Sequence, residues 1–149
     1  APQIGENVRV FVIDVATGNE PLNPIVFINP KIIKKSGAIK SNEGCLSFPE
    51  AYTDVKRYKN VMVKATNEHG KPFVIEAKDG TLLARAIQHE YDHLEGIVFI
   101  DRGDKAFAEK TEQAFQKRAE RAAKKAQEKA AKKARLNAKL AAKEAKKNK

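Results

Sequence analysis

Residues 88–96 read Gln88-His89-Glu90-Tyr91-Asp92-His93-Leu94-Glu95-Gly96 and contain the pattern His-Glu-x-x-His. In a helix, residues four apart stand one above the other on one face, so His89 and His93 could hold a single metal ion between them. Glu90, next to His89, could take a proton from water at that ion. The bland alternative is a half-buried helix that carries two histidines and binds nothing. The only other histidine, His69, lies in the polar run Asn67-Glu68-His69-Gly70-Lys71-Pro72 and reads as solvated. A third ligand is available upstream, in Asn42-Glu43-Gly44-Cys45-Leu46-Ser47-Phe48-Pro49. A lone cysteine is usually a small buried hydrophobe. Here Gly44 permits close backbone approach and Glu43 supplies a carboxylate beside it. One thiolate from a strand and two imidazoles from a helix leave a fourth metal position open, the catalytic rather than the structural arrangement.

These side chains need a helix and several strands to position them. For the helix, Leu82, Leu83, Ala86, Ile87 and Leu94 recur at helical spacing, Asp79 is the expected N-cap ahead of Gly80 and Thr81, and Gly96 is the expected stop. Strands are expected over 8–15, 25–30 and 31–35, where Pro30 favours an edge or a bulge. The stretch 16–24, with Gly18, Pro21 and Pro24, reads as loop. Tyr52–Tyr58 alternates weakly, while Val61–Thr66 and Phe73–Ala77 read as a hairpin closed by the polar turn around His69. Ile97–Asp101 reads as a short strand, and Arg102-Gly103 as a boundary.

Glu43-Gly44-Cys45-Leu46-Ser47 and the extended His-Glu-x-x-His motif together resemble two signature motifs of the peptide deformylase family. A third, Gly-x-Gly-φ-Ala-Ala-Pro-Gln, is matched at its end by Ala1-Pro2-Gln3. The resemblance runs from residue 1 to about 103. It implies an α+β fold with antiparallel sheets around a central metal-binding helix. It also implies an N-terminally truncated chain, because family members carry a helix and a glycine-rich strand before this point; that strand is expected to pair beside 8–15. The implied activity is metal-dependent removal of the formyl group from N-formylmethionine of nascent polypeptides, releasing formate. Cys45, His89 and His93 are then the metal ligands and Glu90 the general acid–base. The Leu46 backbone N–H and the Gln3 side-chain amide stabilise the oxyanion. The implied cofactor is one divalent ion, Fe²⁺ physiologically, with Zn²⁺, Ni²⁺ or Co²⁺ as substitutes. Two other readings stand beside this one. A zinc peptidase would use the two histidines but leave Cys45 without a role. A non-catalytic ribosome- or RNA-binding remnant would need no metal.

The 149 residues are 42% hydrophobic, enough for a core, and the net charge is +10. The mean hydropathy is nevertheless −0.56. The charge is concentrated: residues 103–149 carry 16 Lys and Arg against 6 Asp and Glu, leaving 13 of each sign in 1–102. The expected organisation is a neutral catalytic part, 1–103, and a basic Lys/Ala-rich extension, 104–149. The extension has no Pro or Gly after Gly103, and its only larger apolar side chains beyond Phe115 are Leu136 and Leu140. It is expected to form a continuous helix of about 69 Å at 1.5 Å per residue. Such a helix suits phosphate-backbone contact, and a solvated tail is the alternative. In the resembled family a C-terminal helix docks on the ribosome, which makes ribosomal RNA the implied partner. No run is apolar enough to span a membrane. A single Cys makes no internal disulfide, which points to a reducing compartment. A monomer in the bacterial cytoplasm, or in an organelle, is expected.

Overall fold

The computed structural model describes residues 1–147, with side chains described through Arg135 and at Asn137. The side chains of Leu136 and Leu140, and residues 148 and 149 of the expected extension, lie outside the described residues. Among the described residues, six strands form two antiparallel sheets. The four-stranded sheet has the order β1 (Val10–Ile13), β2 (Ile25–Ser36), β5 (Asn60–Thr66) and β6 (Pro72–Ala77). The two-stranded sheet pairs β3 (Ile39–Cys45) with β4 (Phe48–Arg57). Helix α1 spans Leu82–Leu94, and α2 spans Lys105–Lys147. Short 3₁₀ turns occupy Pro2–Ile4 and Phe99–Arg102.

Two apolar clusters form the core, and the first holds α1 in place. Phe27 and Val63 from the four-stranded sheet meet Ala84 and Ile87 of the helix, and all four are fully buried. Burying Ile87 alone contributes about 1.5–3 kcal/mol relative to leaving it in water. The second cluster joins Val55 of β4 to Phe99 and Ile100, with Cys45, Phe48 and Phe107 packed around it. The helix therefore presents one stripe to the larger sheet and leaves the stripe with His89 and His93 for the smaller one.

Pro30 falls at the β2 irregularity, between the Ile28 and Lys31 pairings with β5. β1 pairs only with Ile25–Ile28, so the proline sits at a bulge where β2 has no β1 partner on its other side. The first strand is shorter than expected, at Val10–Ile13. Asp14, just beyond it, instead accepts from the backbone of Ala16 and Asn23 and organises the following loop. Two local expectations are corrected. The N-cap of α1 is Thr81, whose hydroxyl accepts from the Ala84 N–H at 3.4 Å. Asp79 has φ 56°, a left-handed turn conformation that an N-cap does not adopt. Residues 97–101 do not form a strand. Phe99 and Ile100 are consecutive and both buried, which a strand with one buried face does not allow. The Asp101 carboxylate takes the Val98 N–H at 2.9 Å and closes a 3₁₀ turn.

By contacts the chain divides into two units, Ala1–Ala108 and Glu109–Lys149. In the second unit, every side chain from Glu109 to Arg135 is exposed except that of Thr111. That is what a helix built from Ala, Lys, Glu and Arg without an apolar stripe requires. No helix among the described residues is long and apolar enough to cross a membrane.

Candidate metal centre

Helix α1 ends in a Schellman arrangement that fixes the register of its last turn. Gly96 adopts φ 72°, its N–H reaches the His93 carbonyl at 3.3 Å, and the Ile97 N–H reaches the Asp92 carbonyl at 2.9 Å. One turn earlier, the Gln88 amide clamps the helix to the β4–β5 connection. Its oxygen accepts from the Tyr58 N–H at 2.8 Å, and its nitrogen donates to the Tyr58 carbonyl at 2.9 Å. With the helix held at these points, the two imidazoles turn toward Cys45 at the end of β3. A Cβ at Gly44 would sit 2.6 Å from the exposed Tyr52 ring, which would have to move aside.

Cys45 Sγ lies 3.4 Å from His93 Nε2. Among the described residues, Cys45, His89 and His93 bring one ligand atom each within 4.8 Å of one another. A tetrahedral ion with S at about 2.3 Å and N at about 2.0–2.1 Å separates those two atoms by about 3.6 Å, so the donor set fits one ion. The His89 Nδ1–H donates to Glu43 Oε2 at 3.2 Å, which fixes the tautomer and leaves Nε2 free as a ligand atom. The ring of Phe99 stacks on His89 with centroids 6.4 Å apart.

Behind the ligands runs a charge network. The Arg57 side chain is 2% exposed and donates to both Glu43 oxygens, at 2.9 and 2.8 Å. Its other arm is hydrogen-bonded to Asp92, which also receives Arg102 at 2.6 and 2.5 Å. Burial is the strongest single influence on Glu43 and opposes its charge. The hydrogen bonds from His89 and Arg57, with their positive charge, outweigh it and pull the carboxyl down to about 2. The Glu43 hydrogen bond in turn raises His89 to about 8 against its burial. His93 is lowered, by burial and then by the charge of His89. Glu90 is raised, because burial outweighs the pull of His89.

An open cavity of about 410 Å³ adjoins this centre, and Gln3, Cys45, Leu46, His89 and Glu90 are among its lining residues. All six residues singled out in the sequence are thus at the centre or on the cavity wall. Gln3 Nε2 is 3.5 Å from Ser47 Oγ. The Leu46 side chain is 96% exposed. Sequence reasoning noticed Glu43 but missed Arg57, Asp92 and Arg102. Glu43 pairs with Thr53 and Arg57 with Ile39 across β3 and β4, so the diagonal contact of Glu43 with Arg57 is not written in any spacing. Asp92 and Gln88 lay inside the histidine motif, and their polarity on a helix otherwise facing apolar cores was the available signal.

The chain matches the family model described as polypeptide deformylase over residues 1–109. The chain belongs to that family. Within the polypeptide deformylases, it is 48% identical over 101 residues to peptide deformylase 1 of Clostridium perfringens, covering 68% of this chain and 65% of that protein. It is 45% identical over 109 residues to peptide deformylase 1 of Bacillus subtilis, covering 73% and 65%. The chain therefore spans just under two thirds of the length of these two relatives. A peptide deformylase crystal structure from Legionella pneumophila superposes with TM-score 0.72 at 38% identity, covering 83% of this chain and 70% of that one. One from Synechococcus elongatus, in complex with actinonin, gives TM-score 0.67 at 41% identity, covering 80% and 63%. The α+β deformylase fold expected from the motifs is the fold of this chain.

Proposed function

We propose that the protein hydrolyses the formyl group from N-formylmethionine of nascent polypeptides, with one divalent ion held by Cys45, His89 and His93. The observation that carries this reading is a thiol and two imidazoles within 4.8 Å of one another, beside a cavity whose wall also holds Glu90. When bound, such an ion supplies Lewis-acid polarisation of the formyl carbonyl and a more acidic water. We assign Fe²⁺, with Zn²⁺, Ni²⁺ or Co²⁺ as substitutes, since thiolate and imidazole suit each. Glu90 accepts the proton of the attacking water and delivers it to the departing amine nitrogen. Its burial disfavours the charged form and so helps it hold that proton. The Leu46 N–H and the Gln3 amide donate to the oxyanion developing on the formyl oxygen. Leu46, Leu82 and Ala86 offer an apolar wall to the methionine side chain. Every side chain named here comes from one chain, so a monomer suffices. The setting is wherever formylated chains are made, the bacterial cytoplasm or an organelle.

The direct test is formate release from a formyl-Met-Ala-Ser peptide by the intact protein. A chelator should abolish it, and anaerobic Fe²⁺ should restore it. Formate release that persists in metal-free protein would remove the metal centre from the proposal.

We assign catalysis to residues 1–103 and ribosome contact to the basic extension, 104–149. Its charge of +10 equals the whole net charge of the chain, which favours contact with RNA phosphates. With six phosphate contacts, affinity should fall about 10³-fold between 50 and 200 mM salt. Deleting residues 116–149 should abolish ribosome co-sedimentation and leave turnover of a short formyl peptide nearly unchanged. Equal pelleting with and without the tail at low salt would make the extension a solvated appendage.

A further inference from the structure

One cation on the cavity wall has no task in the proposed chemistry. Arg85 lines the cavity together with Leu82, Ala86, His89 and Glu90. It precedes His89 by four residues, so the two share one face of α1. Its Nε is buried without a hydrogen-bond partner. Among the described residues, no carboxylate forms an ion pair with its guanidinium. The other buried guanidinium, Arg57, is bonded to two carboxylates. A half-buried arginine left unpaired beside an open cavity is arranged to receive an acceptor from outside the chain, since buried donors are nearly always satisfied. Its planar fork matches a carboxylate.

We propose that Arg85 selects substrates by charge: it binds a carboxylate on the second or third residue of the formylated peptide. This rests on the deformylase reading above, which makes the cavity's occupant a peptide. The distances agree. Four residues of helix place Arg85 about 6 Å along the axis from His89, and each residue of extended peptide covers about 3.5 Å. For a peptide extended along α1, a long side chain at Arg85 then reaches one or two residues beyond the formylated methionine. The cavity of about 410 Å³ has room for more than the methionine side chain.

The test compares kcat/KM for formyl-Met-Asp-Ala and formyl-Met-Ala-Asp with their Lys counterparts, in the intact wild-type protein and in Arg85→Leu, Arg85→Lys and Arg85→Glu. A charge-assisted hydrogen bond is expected to favour the acidic peptides by about 10- to 100-fold, mostly through KM. The preference should shrink with salt, survive in part in Arg85→Lys, vanish in Arg85→Leu and reverse in Arg85→Glu. Dissociation constants of the same peptides without the formyl group, measured by calorimetry, supply a readout that needs no turnover. An acidic-to-basic ratio near one in the wild-type protein, or the same ratio in wild type and Arg85→Leu, overturns the proposal. Failure of the deformylase reading would look different, with no formate from any peptide while the binding ratios still report on Arg85.

Discussion

Glu90→Gln is expected to cut turnover of a formyl-Met peptide by about 10²–10⁴ while leaving the bound metal in place. The two carboxylate oxygens become an amide of nearly the same shape, so the cavity wall keeps its form. What disappears is the ability to take a proton from water and return it to the amine. Glu90 lies outside the cluster of Cys45, His89 and His93, so metal content measured by elemental analysis should match wild type. Cys45→Ser is the contrasting case. It replaces a soft thiolate by a hydroxyl, and metal should be lost or exchanged before rate is compared. Near-wild-type hydrolysis by metal-loaded Glu90→Gln would show that Glu90 is not the proton carrier.

The second large effect is on stability. Arg57→Leu is expected to destabilise the folded unit by about 3–5 kcal/mol, lowering the melting temperature by about 10–20 °C. Arg57, Glu43 and Asp92 have side chains only 2%, 8% and 8% exposed. Removing the shared cation leaves two desolvated carboxylates short of a partner, and breaking one member of a buried network costs more than the network itself contributes. The surface pair Arg9–Glu95, with side chains 42% and 43% exposed, is the control. Arg9→Ala should cost no more than about 1 kcal/mol. Because Glu43 also holds His89 by Nδ1, Arg57→Leu should weaken metal binding by about 10- to 100-fold in whatever fraction remains folded. Thermal melts that place Arg57→Leu and Arg9→Ala within about 2 °C of each other would mean that solvent reaches the network freely.

Local chemistry made much of this protein legible in its amino-acid order. His89 and His93 share a helix face because the helical repeat demands it. Gly96 stops that helix because its left-handed backbone suits glycine. The hairpin around His69 follows from alternating apolar residues and a polar turn. The break between a neutral half and a cationic one needs only counting. Pairing the cysteine motif with the histidine motif pointed to the family. Geometry across distant segments was decided only by the fold. The sequence could nominate Cys45 as a third ligand, but only packing of the β3–β4 sheet against α1 brings its sulfur 3.4 Å from His93. Arg57, Asp92 and Arg102 carry no motif. Their pairing depends on β4, α1 and the Phe99–Arg102 turn meeting in one interior, where low dielectric makes each charge require the others. The same reason explains the two local errors. Asp79 looked like a cap by residue type, but the turn that delivers the chain to α1 holds it left-handed. Ile97–Asp101 looked like a strand by composition, but burying both Phe99 and Ile100 in one small cluster required the tighter coil of a 3₁₀ turn.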